Sequence, residues 1–151
     1  MKQIFAIFLI GVTIFSSCSK DSVNTRPSFT LKSFTPEVIP VSGNAEVKFS
    51  FGDKEADLDS IYIYKRRLNK QTTPTIRDSF KFAVPFFDKS TTGDISIFFT
   101  YQNHLISASN PPTSGTPPRR QPDTLIFKFV LKDKAKNNSD TIFSQPIVVL
   151  R

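Results

Sequence analysis

The chain has 151 residues, room for one domain beyond any targeting segment, and 20 Lys and Arg against 13 Asp and Glu give it a net charge of +7. One His and one Cys exclude a multi-His or Cys-plus-His zinc site, every internal disulfide, and any Cys-His or Ser-His-Asp centre not built on His104. Its five Gly form neither GxxxxGK nor GxGxxG, so the usual glycine-rich phosphate cradles are missing as well.

Residues 1–17 have the layout of a signal peptide. Met1-Lys2-Gln3 is a short cationic start, Ile4 to Phe15 is an apolar run, and Ser16-Ser17 precede Cys18. As a helix the run would span about 18 Å, short of the roughly 30 Å hydrocarbon core. A permanent transmembrane anchor is therefore not expected. Small residues directly ahead of the sole cysteine resemble a bacterial lipobox, with Phe15 where leucine is usual. The resemblance implies a diacylglyceryl group on Cys18 and cleavage just before it. Each buried methylene of such a lipid contributes roughly 0.8 kcal/mol, so two or three chains hold stably. Removing residues 1–17 takes away one lysine, which leaves the basicity with the domain.

Residues 18–27 are polar and lack apolar periodicity, and are expected to be a flexible tether. The Lys20-Asp21 start is similar to the lysine-plus-acid signature that sends lipoproteins of Bacteroidota-type bacteria to the outer surface. The address it implies is the bacterial cell envelope: lipid-anchored, in the outer membrane, with display outside the cell.

From residue 28 to residue 151 the apolar residues recur at period two between turn-formers, which predicts strands throughout. Phe29, Leu31 and Phe34 begin the series. Val47, Phe49 and Phe51 face one side of the next strand, and Ile61-Tyr62-Ile63-Tyr64 is apolar on both, as expected of a central strand. Phe80, Phe82 and Val84 follow, then Ile95, Ile97, Phe99 and Tyr101. Leu125, Phe127, Phe129 and Leu131 make the strongest strand, and Ile142, Ile147 and Val149 close the chain. The expected fold is all-β, a single immunoglobulin-like antiparallel β-sandwich of about seven strands, with a barrel as the runner-up. Its Phe-rich stripe reads as filling between two sheets rather than as a ligand groove.

Residues 102–122 form a Pro-rich link longer than structureless connections usually run. Prolines and small polar residues bury little surface, which favours a mobile insertion. The alternative is a binding element carrying Arg119 and Arg120. His104, at its start, reads as a surface histidine.

The most pointed constellation is Asp53, Glu55, Asp57 and Asp59, alternate acids between two strands. Clustered hard oxygen donors suit Ca²⁺, and Asp133 on a later loop could complete the set. Leu58 and Tyr64 stand where an EF-hand needs Gly and Glu. Lys54, Lys134 and Lys136 would repel a cation, so a solvated acidic turn is the competing reading. Paired carboxylates also admit a glycan hydrolase, but they lie too close in sequence to specify a pair across a cleft. The expectation is no enzyme.

Phe51-Gly52-Asp53-Lys54-Glu55-Ala56-Asp57-Leu58-Asp59 resembles the F-x-D-x-D/E-G-D-L-G segment of small uncharacterised Bacteroidota lipoproteins. Asp133-Lys134-Ala135-Lys136-Asn137-Asn138-Ser139 is similar to their D-K-A-G-N-x-S stretch. Ala56, Asp59 and Lys136 replace glycines of that pattern. The resemblance implies an immunoglobulin-like envelope lipoprotein without assigned activity. Four Asp-Ser or Asp-Thr steps, at Ser22, Ser60, Thr124 and Thr141, also resemble the O-glycosylation acceptor of those bacteria, although turn chemistry alone accounts for them. Of the four, only Ser22 reads as plainly accessible.

Lys65-Arg66-Arg67-Leu68-Asn69-Lys70, with Tyr62 and Tyr64 upstream, combines cations and aromatics as nucleic-acid surfaces do. An exported protein seldom meets nucleic acid, and none is expected as a partner. The run reads as a solvated strand end whose charge suits anionic envelope glycan or lipid head groups. The expected function is a lipid-anchored, non-enzymatic binding or accessory module with a protein or glycan partner. A structural, calcium-stabilised envelope component is the second reading.

Overall fold

The computed structural model describes residues 26–69, 77–85, 90–107 and 110–151; the signal segment, Cys18 and most of the tether lie outside the described residues. Eleven strands form two facing sheets and one small hairpin. The first sheet has the order β1 (Ser28–Thr35), β3 (Ala45–Gly52), β6 (Thr92–Phe99). In the second the order is β2 (Val38–Ile39), β11 (Ile147–Val149), β9 (Asp123–Asp133), β4 (Leu58–Arg67), β5 (Arg77–Ala83), and β10 (Ile142–Phe143) also pairs with β9. Among the described residues the two sheets stay separate, so the architecture is an immunoglobulin-like sandwich and not a barrel. All pairings are antiparallel except β2 with β11, where the chain crosses after Pro36 from one sheet to the edge of the other.

Alternation builds the core. Along β9 the inward residues Leu125, Phe127, Phe129 and Leu131 are all fully buried, and Val47, Phe49 and Phe51 face them from β3. Phe49 meets Phe129 edge-on at 4.9 Å between centroids and stacks on Phe29 at 4.5 Å. Each such side chain contributes about 1.5–3 kcal/mol by burial, and edge-to-face pairs add to it. The Phe stripe is therefore inter-sheet filling. Gly93 stands opposite Phe51, and a Cβ there would come within 2.9 Å of the Phe51 ring.

β10 and β11 run as one strand beside β9, interrupted at Ser144-Gln145-Pro146. Proline has no N–H for the ladder, so the interruption needs other partners. Ser144 supplies them: its N–H donates to the Phe127 carbonyl at 2.9 Å and its Oγ accepts from the Phe127 N–H at 3.0 Å. Ser139 pairs with Leu131 in the same two ways.

Three expectations change. β4 is central in its hydrogen bonding, yet Tyr62 is half-buried and Tyr64 exposed, because no layer among the described residues covers the outer face of the second sheet. The 102–122 link carries local structure: a π-helical turn at Tyr101–Leu105, and a hairpin of β7 (Thr113–Ser114) with β8 (Arg119–Arg120) turning at Gly115, φ 85°. Finally, Arg26 and Pro27 belong to the domain rather than to the tether. Pro27 is buried and Arg26 Nε donates to the Asn138 carbonyl at 3.0 Å.

Candidate functional site

The acidic segment and its distant counterpart form twin loops at one end of the sandwich. Asp53-Lys54-Glu55-Ala56-Asp57 and Asp133-Lys134-Ala135-Lys136-Asn137 have the same geometry. In each, the first aspartate accepts from the backbone N–H four residues on, Asp57 to Asp53 Oδ2 at 2.8 Å and Asn137 to Asp133 Oδ1 at 2.7 Å. In each, the fourth residue is left-handed, Ala56 at φ 53° and Lys136 at φ 72°. Glycine is the residue that adopts this conformation without a Cβ penalty. The tight turn is thus kept without it, at a strain of order 1 kcal/mol or more per residue. The Lys134 N–H donates to the Asp57 carbonyl at 2.9 Å and joins the loops. Lys136→Gly and Ala56→Gly should each raise stability by about 0.5–1 kcal/mol, the strain relieved less the entropy glycine adds to the unfolded chain. A lower urea midpoint in both variants would contradict this.

Not all five predicted calcium ligands converge. One carboxylate oxygen from each of Asp53, Glu55 and Asp57 lies within 4.8 Å of the other two. Asp53 is 3% exposed, and its Oδ1 and the Oδ1 of Asp57 are buried with no hydrogen-bond partner among the described residues. Asp133 approaches from the second loop, but both its oxygens accept from Asn137, at 2.7 and 2.8 Å. Asp59 points elsewhere, accepting from Ser60 Oγ at 2.7 Å and lying 3.7 Å from Lys81. Burial, and then the negative charges of Asp53 and Asp133, push the Asp57 carboxyl above its usual pKa; Lys134 opposes them.

A second cluster was hidden in the basic run. The alternation of β4 continues past Ile61 and Ile63, so Lys65 and Arg67 point inward and only Arg66 is exposed. Lys65 Nζ donates to the carbonyls of His104 (2.8 Å) and Ser107 (3.0 Å) and to Ser107 Oγ (2.8 Å), with the Leu105 carbonyl at 3.4 Å and Asp78 Oδ2 at 3.4 Å. It is a pin holding the π-turn to the sheet. Burial pushes its pKa down to about 8, against the pull of Asp78. Continuing the period-two phase of Ile61 and Ile63 was the signal that could have found Lys65 and Arg67; the charge of the run masked it.

His104 is no surface histidine. It is half-buried, 5.6 Å from the Phe99 ring and 5.2 Å from Phe80, and its Nδ1 accepts from the Thr100 N–H at 3.0 Å. Burial and then the Lys65 charge lower its pKa, which keeps the ring neutral.

The outer face of the second sheet collects cations and aromatics. Register places Lys81, Tyr62 and Val130 in one row and Ser79, Tyr64, Lys128 and Phe143 in the next. Ammonium groups sit over the rings: Lys81 and Lys132 are 5.6 and 5.8 Å from the Tyr62 centroid, and Lys128 is 5.2 Å from that of Tyr64. Phe143 is 59% exposed. Arg66, Lys128 and Lys132 have no ion-pair partner among the described residues. Two hollows of about 590 and 450 Å³ share Tyr64 and Lys128, making a trough across the face.

Arg119 and Arg120 are exposed on the β7–β8 hairpin, opposite Ser114 and Thr113. The structure does not bring them to the acidic loops' cluster. Of the acceptor-like steps, Ser60 is fully buried and Thr124 half-buried, whereas Thr141 is exposed. Ser22 itself lies outside the described residues.

No family model matches the chain, and no curated protein does. Among solved structures it is similar to a mutant beta-glucosidase from Listeria innocua in complex with laminaribiose, with a TM-score of 0.42 and 9% identity over 85% of this chain and 16% of that one. It is also similar to Spo0M, a sporulation control protein from Bacillus subtilis, with a TM-score of 0.39 and 11% identity over 83% of this chain and 50% of that one. The chain thus spans about a sixth of the glucosidase and half of Spo0M, and similarity at this level says nothing about activity. Among the described residues no helix is long and apolar enough to cross a membrane.

Proposed function

We propose that this chain is a non-enzymatic binding or accessory module of the bacterial cell envelope, held in the outer membrane by lipid on Cys18 and displayed at the surface. The observation that carries the binding role is the outer face of the second sheet, where Arg66, Lys128 and Lys132 form no ion pair among the described residues and lie beside exposed Tyr64 and Phe143. Support for a non-catalytic role comes from the chemistry of the buried groups. Lys65 beside Ser107 superficially resembles a serine-lysine pair, but its oxygen neighbours satisfy an ammonium, and Ser107 Oγ donates to Asp78 at 2.6 Å instead of to an amine base. The test is a photo-reactive residue at position 64 of the native protein in intact cells, with Phe98, exposed on the opposite sheet, as control. Adducts specific to position 64 are expected, together with loss of the protein from the membrane fraction in Cys18→Ala. Equal labelling at both positions would overturn the assignment of the face. A Cys18→Ala protein still in the membrane would overturn the anchor.

A second reading, calcium stabilisation, is favoured by one observation: the buried, unpartnered Oδ1 of Asp53 beside the converging oxygens of Glu55 and Asp57. Three carboxylates with water would satisfy the six to eight oxygens that Ca²⁺ takes. Saturating Ca²⁺ should then raise the thermal midpoint by several degrees and EDTA should reverse it; at a hundredfold excess over Kd the gain is about 2.7 kcal/mol. Asp57→Asn should abolish the shift, and a midpoint indifferent to both reagents would remove calcium from the account.

A further inference from the structure

Resting on the binding-module reading, we propose that the trough across Tyr62, Tyr64 and Lys128 takes an acidic polysaccharide, a chain of sugar carboxylates or sulfates. Charge complementarity comes first. Arg66, Lys128 and Lys132 lie on one face and form no ion pair among the described residues, while half-exposed Asp59, 3.7 Å from Lys81, also feels the charge of Lys132. The other acid at the trough, Asp78, is engaged with Ser107 and Lys65. Along the strand direction Lys128 stands two positions from the Arg66 row and four from Lys132, roughly 7 and 14 Å, a spread of charge that suits an extended polyanion.

The rest of the lining separates a glycan from the other polyanions. Single-stranded nucleic acid needs bare aromatic faces on which bases stack. Here Lys81 and Lys132 sit over Tyr62 and Lys128 over Tyr64, so ammonium groups occupy the approach to the rings. What faces the trough instead is hydroxyl and amide chemistry from Ser79, Asn138 and Thr141 beside the tyrosines, able to exchange hydrogen bonds with sugar hydroxyls. A bilayer would be met by a broad apolar rim, whereas among the described residues Phe143 and Tyr64 are the large exposed hydrophobic side chains lining the two hollows, and Tyr64 ends in a hydroxyl.

The test uses the full-length protein in detergent micelles and four probes: polygalacturonate, its methyl-esterified neutral form, duplex DNA, and vesicles containing anionic phospholipid. Polygalacturonate should bind with an affinity that falls as salt rises, and esterification should weaken it at least about tenfold, as should Lys128→Glu or Lys132→Glu. Both lysines are half-buried over tyrosine rings, so a slightly lower unfolding midpoint is expected from the lost cation–π contact, and a retained single cooperative transition will separate lost binding from lost fold. Equal binding of the esterified polymer, tighter binding of DNA, binding to anionic vesicles that exceeds the anchor's background on neutral vesicles and falls with Lys128→Glu, or indifference to both charge reversals would overturn the proposal. If polygalacturonate fails to bind while the position-64 adduct still forms in cells, the glycan class falls and the binding-module reading stands. Failure of both removes both.

Discussion

Asp123→Ala should cost about 3–5 kcal/mol, because it strands two buried guanidinium groups. Asp123 is fully buried at the start of β9, with Arg67 Nε 2.5 Å from its Oδ1 and Arg151 donating from Nε to its Oδ2 at 2.6 Å. The Arg67 contact is one of charge rather than an aligned hydrogen bond, since neither atom has a hydrogen-bond partner among the described residues. Arg67 also donates from its second guanidinium nitrogen to the Asn110 carbonyl at 2.7 Å, so the cluster ties the end of β4, the start of β9, the last residue and the Pro-rich link together. The loss will appear as a lower urea midpoint with an unchanged slope. Asp94→Ala is the control: its pair with Lys32, 2.7 Å apart and well exposed on both sides, is worth about 0–1 kcal/mol. Similar costs for the two substitutions would refute the argument.

The second large effect is expected from Lys65→Met. Methionine keeps the bulk and removes the donor shared by the carbonyls of His104 and Ser107 and by Ser107 Oγ. Unsatisfied buried acceptors cost about 1–3 kcal/mol each. The π-turn can lift toward water to recover part of this, so a net loss of about 2–4 kcal/mol is anticipated. Faster hydrogen exchange confined to residues 101–107 would show the pin released; unchanged exchange and an unchanged midpoint would exclude it. The pH dependence supplies an independent sign. With the folded pKa at about 8 and the ordinary value at 10.5, the unfolded chain still holds this proton in the window where the folded chain has released it. Stability from this group therefore rises with pH across about 8 to 10.5. The Met variant should lack that rise.

Most of the sandwich was legible because period-two alternation is a local property. Val47-Phe49-Phe51 and Leu125-Phe127-Phe129-Leu131 need no partner to announce which face is apolar. β2 was missed because a two-residue edge strand has no period, and it exists only because β11 offers an open edge. The π-turn was missed for a related reason. Tyr101 continues the period-two phase of Ile95, Ile97 and Phe99 and so reads as strand, buried Leu105 is an isolated apolar residue in a polar stretch, and the turn is held from outside: Lys65 reaches across from β4, and the Tyr101 hydroxyl donates to the Leu150 carbonyl at 2.6 Å.

Residue types and their spacing were enough to determine the all-β class, the sandwich core and the identity of the acidic and basic groups, since these depend on composition and on neighbours two positions away. Tertiary structure alone decided which charges do what. It gave inward-facing Lys65 and Arg67 their partners, gathered Asp53, Glu55 and Asp57 while turning Asp59 away, and set Lys128 and Lys132 over tyrosines from another strand. A charge is costly or useful according to how much water it keeps and which partners surround it, and both are set by strands far apart in the chain.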